Sequence, residues 1–478
     1  MSNDPNTPGA ADDDGLPEEL ARIFRDLNGG RDLPPQVVQQ LKAMGIADAD
    51  PAQVASMTSQ IKAMFTPGAQ TKGVDVAAAT TAARERLTEE LTATTGERGA
   101  VLAEQAVQVA SLWLDQVTEL EAPGLTGEAM SRAEWIEATM PVWASLVDPV
   151  VEGLSGAIRD SFSSRMQGPD APDLQMLGLP PGMDLSQLTQ AMAPFVDAMA
   201  SHLMTSQIAE AVGALAEDTL TATEAGVPLL TGRVGLLPGN ISGFGEGLDV
   251  ELDEVWLHLA AREAARMRLF TAVPWLGPQI LAAVQSYARG IAIDTDAIDE
   301  AVRDIDPSDP QALQEALTGG FLNPSPTPAQ QQALTQLETW LALIEGWVEH
   351  VASRATERQL PHTAAMTETI RRRRATGGPA ERTFAGLVGL ELRPRRLRDA
   401  ASLFAALEEK AGVSGRDGVW AHPDVAPTGA DLDDVLGFVE RRASGGGDES
   451  DLDAALESIL READEGGSAG GGEEPPAT

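Results

Sequence analysis

The 478-residue sequence contains no cysteine. That absence removes disulfide frameworks, thiolate metal sites and cysteine nucleophiles, and it is compatible with a reducing cytoplasm. Histidine is scarce. His202, His258, His350, His362 and His422 are all there is, and no two stand four residues apart, the spacing by which two imidazoles on one helix reach a single zinc ion. Cations are also few: 34 Lys and Arg stand against 73 Asp and Glu, a formal net charge of -39. This balance argues against non-specific binding of nucleic acid or anionic membrane, both of which need clustered positive charge, and favours solubility. No apolar run approaches the length of a membrane span. The most apolar stretch, 271–293, is broken by Pro274, Gln279, Gln285 and Arg289, so no membrane partner is expected. The start, Met1-Ser2-Asn3-Asp4, lacks a basic region followed by an apolar one, and a cytoplasmic location is the expectation.

What the sequence does have is helical periodicity over most of its length. The expected fold is mainly α, a multi-helical body with little strand and disordered acidic termini. Residues 1–17 are too polar to order themselves; 18–70 read as an arm of short helices at 18–27, 36–44 and 53–65; 71–442 form the body. Residues 443–478 make an acidic tail with one short apolar segment at 452–460. Within the body, Val101, Ala106, Val109, Leu112 and Trp113 predict an apolar stripe. Ser131-x-x-Glu134 has capping-box spacing, opening a helix that is expected to stop at Pro141 and resume over 142–162. A loop at 168–184 precedes a helix over 185–220, kinked at Pro194, with Met192 and Met199 on one core-facing side. Residues 225–249 read as a glycine-rich loop holding one extended segment, 234–237. Its Gly243-Phe244-Gly245-Glu246-Gly247 lacks phosphate-cradle spacing, and Gly239-Asn240-Ile241-Ser242-Gly243 misses the nucleophile elbow by one position. Further helices are expected at 278–291, 311–317, 329–354, 397–410 and 431–442.

The organising element is a helix at 251–271. Leu252, Val255, Leu259 and Phe270 share one sector of its surface, and Arg262, Glu263 and Arg266 point into or beside that sector. Three charged groups therefore face the core, where each requires a partner. The helix at 329–354 offers one: Leu334, Leu337, Leu341, Ile344 and Val348 form its stripe, with Glu345 at the edge and Glu349 a turn further. The arginines at 371–374 and at 393, 395, 396 and 398 read as clamps on the body's own carboxylates.

Arg262-Glu263-x-x-Arg266 has the frame of the zinc-protease helix His-Glu-x-x-His with arginine at both histidine positions. Around it stand, in order, Ser131-Arg132-Ala133-Glu134-Trp135, Gly245-Glu246-Gly247, Val273-Pro274-Trp275-Leu276, Glu345-Gly346-Trp347, Leu390-Glu391-Leu392-Arg393-Pro394-Arg395-Arg396-Leu397-Arg398-Asp399-Ala400 and His422-Pro423-Asp424. This ordered set, spanning about 75–440, resembles the zinc-dependent metalloprotease-like hydrolase family of actinobacteria. The resemblance implies a zincin-like core, Glu263 as a vestigial catalytic base, Arg262 and Arg266 at former metal-ligand positions, and Glu345 where the third zinc ligand would stand. Read from the residues alone, Glu345 equally pairs with an arginine.

Arginine has no lone pair for a metal, but its guanidinium supplies positive charge in the ion's place. His258 diverges from Glu263 by about 140° of helix rotation, at about 100° per residue, and His350 turns away from its helix's stripe. Neither completes a zinc site, although both, with Glu349, lie near enough to be neighbouring candidates. Three readings stand. The favoured one is a zincin-like scaffold or binding protein that has lost zinc and catalysis, binds no cofactor, and has a protein partner. The alternative is an active hydrolase or peptidase holding zinc. The third is a helical protein unrelated to zincins.

Overall fold

The computed structural model describes residues 73–87, 96–167, 185–290, 327–375 and 396–443. The expected tail and arm, the helix at 311–317 and the acidic tail with its segment at 452–460 lie outside the described residues. The described chain is mainly helical with very little strand. Its elements are α1 (Val76–Glu85), α2 (Glu97–Leu114), β1 (Thr126–Ala129), α3 (Arg132–Gln167), α4 (Leu185–Asp218), β2 (Arg233–Leu236), α5 (Pro238–Gly245), α6 (Leu252–Ala272), α7 (Leu276–Arg289), α8 (Pro328–Thr356), α9 (Thr363–Ala375), α10 (Leu397–Asp417), α11 (Gly429–Asp433) and α12 (Val435–Ala443). No helix among them is long and apolar enough to cross a membrane.

Contacts divide the chain into two units. The first takes residues 1–75, 150–204 and 291–325. Its described part joins the second half of α3 to the first half of α4 through an Arg159–Asp197 ion pair at 3.0 Å, with Val196, Ala200 and Met204 buried. Met199, expected in the core, is exposed. The second unit, 76–149, 205–290 and 326–478, carries everything that follows.

Several sequence expectations change in the fold. Helix α3 does not stop at Pro141; it runs unbroken through Pro141 and Pro149. An interior proline costs a helix about 3 kcal/mol, whereas fully burying one large apolar side chain stabilises by about 1.5–3 kcal/mol. Trp135, Ile136, Met140, Trp143, Leu146 and Val147 are all buried along this stretch, and their burial outweighs both prolines. On α2 the buried side is Ala103, Ala106, Val107, Ala110 and Leu114, while Val101 and Leu112 are exposed. Small residues win because β1 crosses the helix at close range: a Cβ on Gly127 would lie 2.3 Å from the Ala103 carbonyl oxygen. The stretch at 225–249 is more than a loop, since it holds β2 and the short helix α5, which opens on Pro238.

Strand β1 was not expected. It pairs in parallel with β2, Thr126 opposite Arg233 through Ala129 opposite Leu236. A parallel pair needs a long crossover, and α3 and α4 provide it. Ser131 closes the anticipated capping box: its hydroxyl accepts from the Glu134 N–H at 3.1 Å while Glu134 accepts from the Ser131 N–H at 2.7 Å. The Trp135 indole donates to the Ala222 carbonyl at 3.0 Å.

Helix α6 lies at the centre. From Val255 to Leu269 every residue except Leu257 is buried, so its core face is the whole circumference rather than one sector. Leu252 sits at the exposed end. Arg268 is a fourth buried charge, missed in the sequence; it reaches α2, donating to Asp115 Oδ1 at 2.6 Å and to the Ser111 carbonyl at 3.0 Å. Helix α8 packs against α6 on one side and α10 on another. The second contact is possible because residue 346 is glycine: an added Cβ would stand 2.5 Å from the Ala400 Cβ and 2.7 Å from backbone atoms of Ala400 and Ala401.

Gly346→Ala therefore forces α8 and α10 apart. We expect a loss of about 1–3 kcal/mol in denaturant unfolding, despite alanine's better helix propensity. Ala400→Gly in the same chain should restore only part of it, because the other close atoms are backbone.

Candidate functional site

The buried charges of α6 meet two other pieces of chain. One is the connection after α4, where residues 219–227 are buried without a break. It is fastened to β2 by an isolated antiparallel bridge between Thr221 and Leu236, with Ala222 N–H donating to Gly235 O at 2.9 Å and Leu237 N–H to Leu220 O at 3.0 Å. Gly235 permits that approach, since a Cβ there would be 2.6 Å from the Ala222 Cβ. The other piece is the middle of α8, which carries Glu345.

Glu263 is fully buried. Its Oε1 accepts from the Thr223 N–H and from the Thr223 hydroxyl, both at 2.7 Å. Its Oε2 accepts from the Thr221 hydroxyl at 2.8 Å and from Arg266 Nη1. Glu345 is almost as enclosed. Its Oε1 accepts from Arg266 Nε at 3.0 Å and Nη2 at 2.7 Å, and its Oε2 meets Arg262 Nη2 and Arg374 Nη2, each at 3.1 Å. Arg266 thus spans both carboxylates. Burial by itself pushes the Glu345 carboxyl up, but Arg266, Arg374 and Arg262 together outweigh it and hold it at about 2. Burial lowers Arg262 to about 10 even with Glu345 opposing. For Arg266 burial also lowers, but Glu345 and Glu263 overcome it and leave the guanidinium more firmly protonated than usual.

An outer ring comes from α9, and it bears out the reading of the arginine run as a clamp. Arg374 reaches Glu345 and also donates to the Glu224 carbonyl at 3.0 Å. Arg373 pairs with Glu224, whose other oxygen accepts the Leu220 N–H at 2.7 Å. Arg371 pairs with Glu349 at 2.5 Å.

The fold therefore brings together Arg262, Glu263, Arg266 and Glu345. Glu349 stands aside, engaged by Arg371. His350 belongs to a different cluster, bonded to Glu408 at 2.6 Å; burial lowers its pKa, with Glu408 opposing. His258 is buried beside the site, one turn from Arg262, and neither ring nitrogen has a hydrogen-bond partner. Burial, then Arg262, lowers it to about 3. Sequence reasoning missed Thr221, Thr223 and Glu224, for which no periodicity gives a signal. It anticipated that the run at 371–374 would clamp carboxylates without assigning Arg374 to Glu345.

These residues do not fit a zinc ion. A carboxylate offers about four lone-pair sites; Glu263 already accepts four donors, and Glu345 accepts three and is ion-paired to Arg374 besides. The positions in the histidine frame hold guanidinium groups, which donate protons only. Among the described residues no group of three His, Cys, Asp or Glu is placed to hold a metal.

Two outcomes follow. Glu345→Gln leaves three guanidinium groups around a neutral amide, and breaking a buried pair costs about 3–5 kcal/mol, readable by denaturant unfolding. Stability should also fall with acid in two stages. The unfolded chain takes up a proton on His258 near 6.5 that the folded chain refuses until about 3, a slope of about 1.4 kcal/mol per pH unit. Glu345, depressed from 4.5 to about 2, contributes fully above pH 4.5, and that contribution drains as pH falls toward 2. His258→Leu should abolish the first stage and leave the second in an acid-unfolding series.

Residues 74–439 match the family model described as "Zincin-like metallopeptidase". A solved structure from Chloroflexus aurantiacus, described as a "putative hydrolase with a novel fold", superposes with a TM-score of 0.53 at 16% identity, covering 78% of this chain and 100% of that one. At that identity the likeness is one of fold. No curated protein matches the chain. With the family model covering most of its length, the chain belongs to the zincin-like metallopeptidase family.

Proposed function

We propose that this family member has given up zinc and hydrolysis and works as a scaffold or binding protein, with Arg266, assisted by Arg262, supplying positive charge at the former metal position. The carrying observation is the saturation of Glu263 together with the commitment of Glu345 to three arginines. In the His-Glu-x-x-His frame the glutamate acts as general base, and Glu263 would have to take a proton from water. Here its four bonds, two of them from Thr223, leave no lone pair for that step. Glu345, at the position of the third ligand, is committed to three arginines. A divalent cation would have to displace charge-assisted hydrogen bonds, the stronger kind, and sit among three guanidinium groups. A binding role has a surface available in the neutral groove that Pro328, Gln332, Trp340, Pro423 and Pro427 line beside the start of α8.

Purified full-length protein from zinc-supplemented growth should contain far less than one zinc per chain, and should not cleave casein or a peptide library with or without chelator. Stoichiometric zinc, or cleavage that a chelator abolishes, overturns the reading. Arg262→His combined with Arg266→His should create measurable zinc affinity by titration, because the frame and Glu345 remain in place.

A further inference from the structure

The carboxylates of the cluster are engaged on both oxygens, but several nitrogens around them are not. Arg262 Nη1, Arg374 Nε and both ring nitrogens of His258 are buried without a hydrogen-bond partner among the described residues. Buried polar atoms are ordinarily paired, and an exception calls for an explanation. Arg262 is the neighbour that ties them to one corner of the cluster. His258 and Arg262 are one turn apart on α6, the spacing at which side chains stand side by side. Arg262 and Arg374 both end on the same oxygen, Glu345 Oε2.

The charges in that corner do not balance. Arg262, Arg266 and Arg374 face Glu263 and Glu345, one positive charge in excess. The next ring adds as many positive charges as negative: Arg373 pairs with Glu224 and Arg371 with Glu349, and those carboxylates, which also act on Arg266 and Arg262, leave the sum unchanged. His258 is held neutral by burial and by Arg262, so one ring nitrogen carries a hydrogen to donate.

We propose that Arg262, Arg374 and His258 enclose a small monovalent anion of halide size. It accepts from Arg262 Nη1 and from the His258 ring N–H, with Arg374 Nε as a third donor. The inference rests on the metal-free reading of the cluster and deepens it by naming the ligand class. A water molecule would accept from two of these donors at most and leave the excess charge in place, and an isolated buried charge is costly. A phosphate dianion would reverse the imbalance and needs more donors than the corner has. The Arg374 side chain, 13% exposed against 5% for Arg262, stands on the route to solvent.

The test uses the full-length protein in chloride-free sodium gluconate, exchanged stepwise for sodium bromide at constant ionic strength. Unfolding stability should rise with bromide and saturate at one site. At a hundredfold excess over the dissociation constant the folded-to-unfolded ratio should rise about a hundredfold. Arg374→Gln should weaken the apparent bromide affinity at least about tenfold, the effect of losing a charged donor worth about 1.4 kcal/mol. Crystals grown in bromide should show anomalous scattering between Arg262 and His258. Stability indifferent to the anion, or anomalous signal on the surface alone with water in the corner, overturns the proposal. Stoichiometric zinc would overturn the metal-free reading, while a failed bromide titration on zinc-free protein would overturn this inference alone.

Discussion

One interaction constrains the rest of the molecule: the bridge that Arg266 makes between Glu263 on its own helix and Glu345 on α8. Neither carboxylate nor guanidinium tolerates burial alone, so α6 and α8 have one workable rotation and register relative to each other. Buried ion pairs add little net stability, because desolvation offsets most of the attraction. Their effect here is on specificity, since any slip of α8 along α6 leaves buried charges unpaired.

The surrounding elements serve that requirement. The parallel pair β1 and β2 anchors the connection at 219–227, which hands Thr221 and Thr223 to Glu263. Gly346, next to the residue that matters most on α8, lets α10 approach from behind. A second buried cluster fixes α10 in the same way. Asp417 accepts from Arg416, from the Trp347 indole at 2.9 Å and from the Thr118 hydroxyl at 2.7 Å, while Arg416 also reaches Glu408. Within that second cluster each named donor finds an acceptor. The contrast makes the open donors of Arg262, Arg374 and His258 conspicuous.

The ordered motifs of the sequence acquire physical roles. Ser131 and Glu134 cap α3, and Trp135 ties it to the chain beside Glu263. Trp275 donates to the Trp420 carbonyl at 3.1 Å and meets Trp340 edge-on at 5.3 Å. Ala400 meets Gly346, and the His422 ring accepts the Asp424 N–H. The ordered motifs are thus largely a pattern of helix contacts.

The sequence by itself determined that the chain is mainly helical, that charges of the central helix face the core, and that the later Trp-rich helix offers Glu345 or Glu349 to them. Helical period and the cost of an unpaired charge suffice for those conclusions. The tertiary structure alone decided the passage of α3 through its prolines, the buried side of α2, the strand at Thr126–Ala129 and the second arginine on Glu345 Oε2. Each of those depends on atoms far apart in the chain: a proline is tolerated, an alanine preferred or a threonine hydroxyl turned inward because of what packs opposite, and local pattern holds no record of that neighbour.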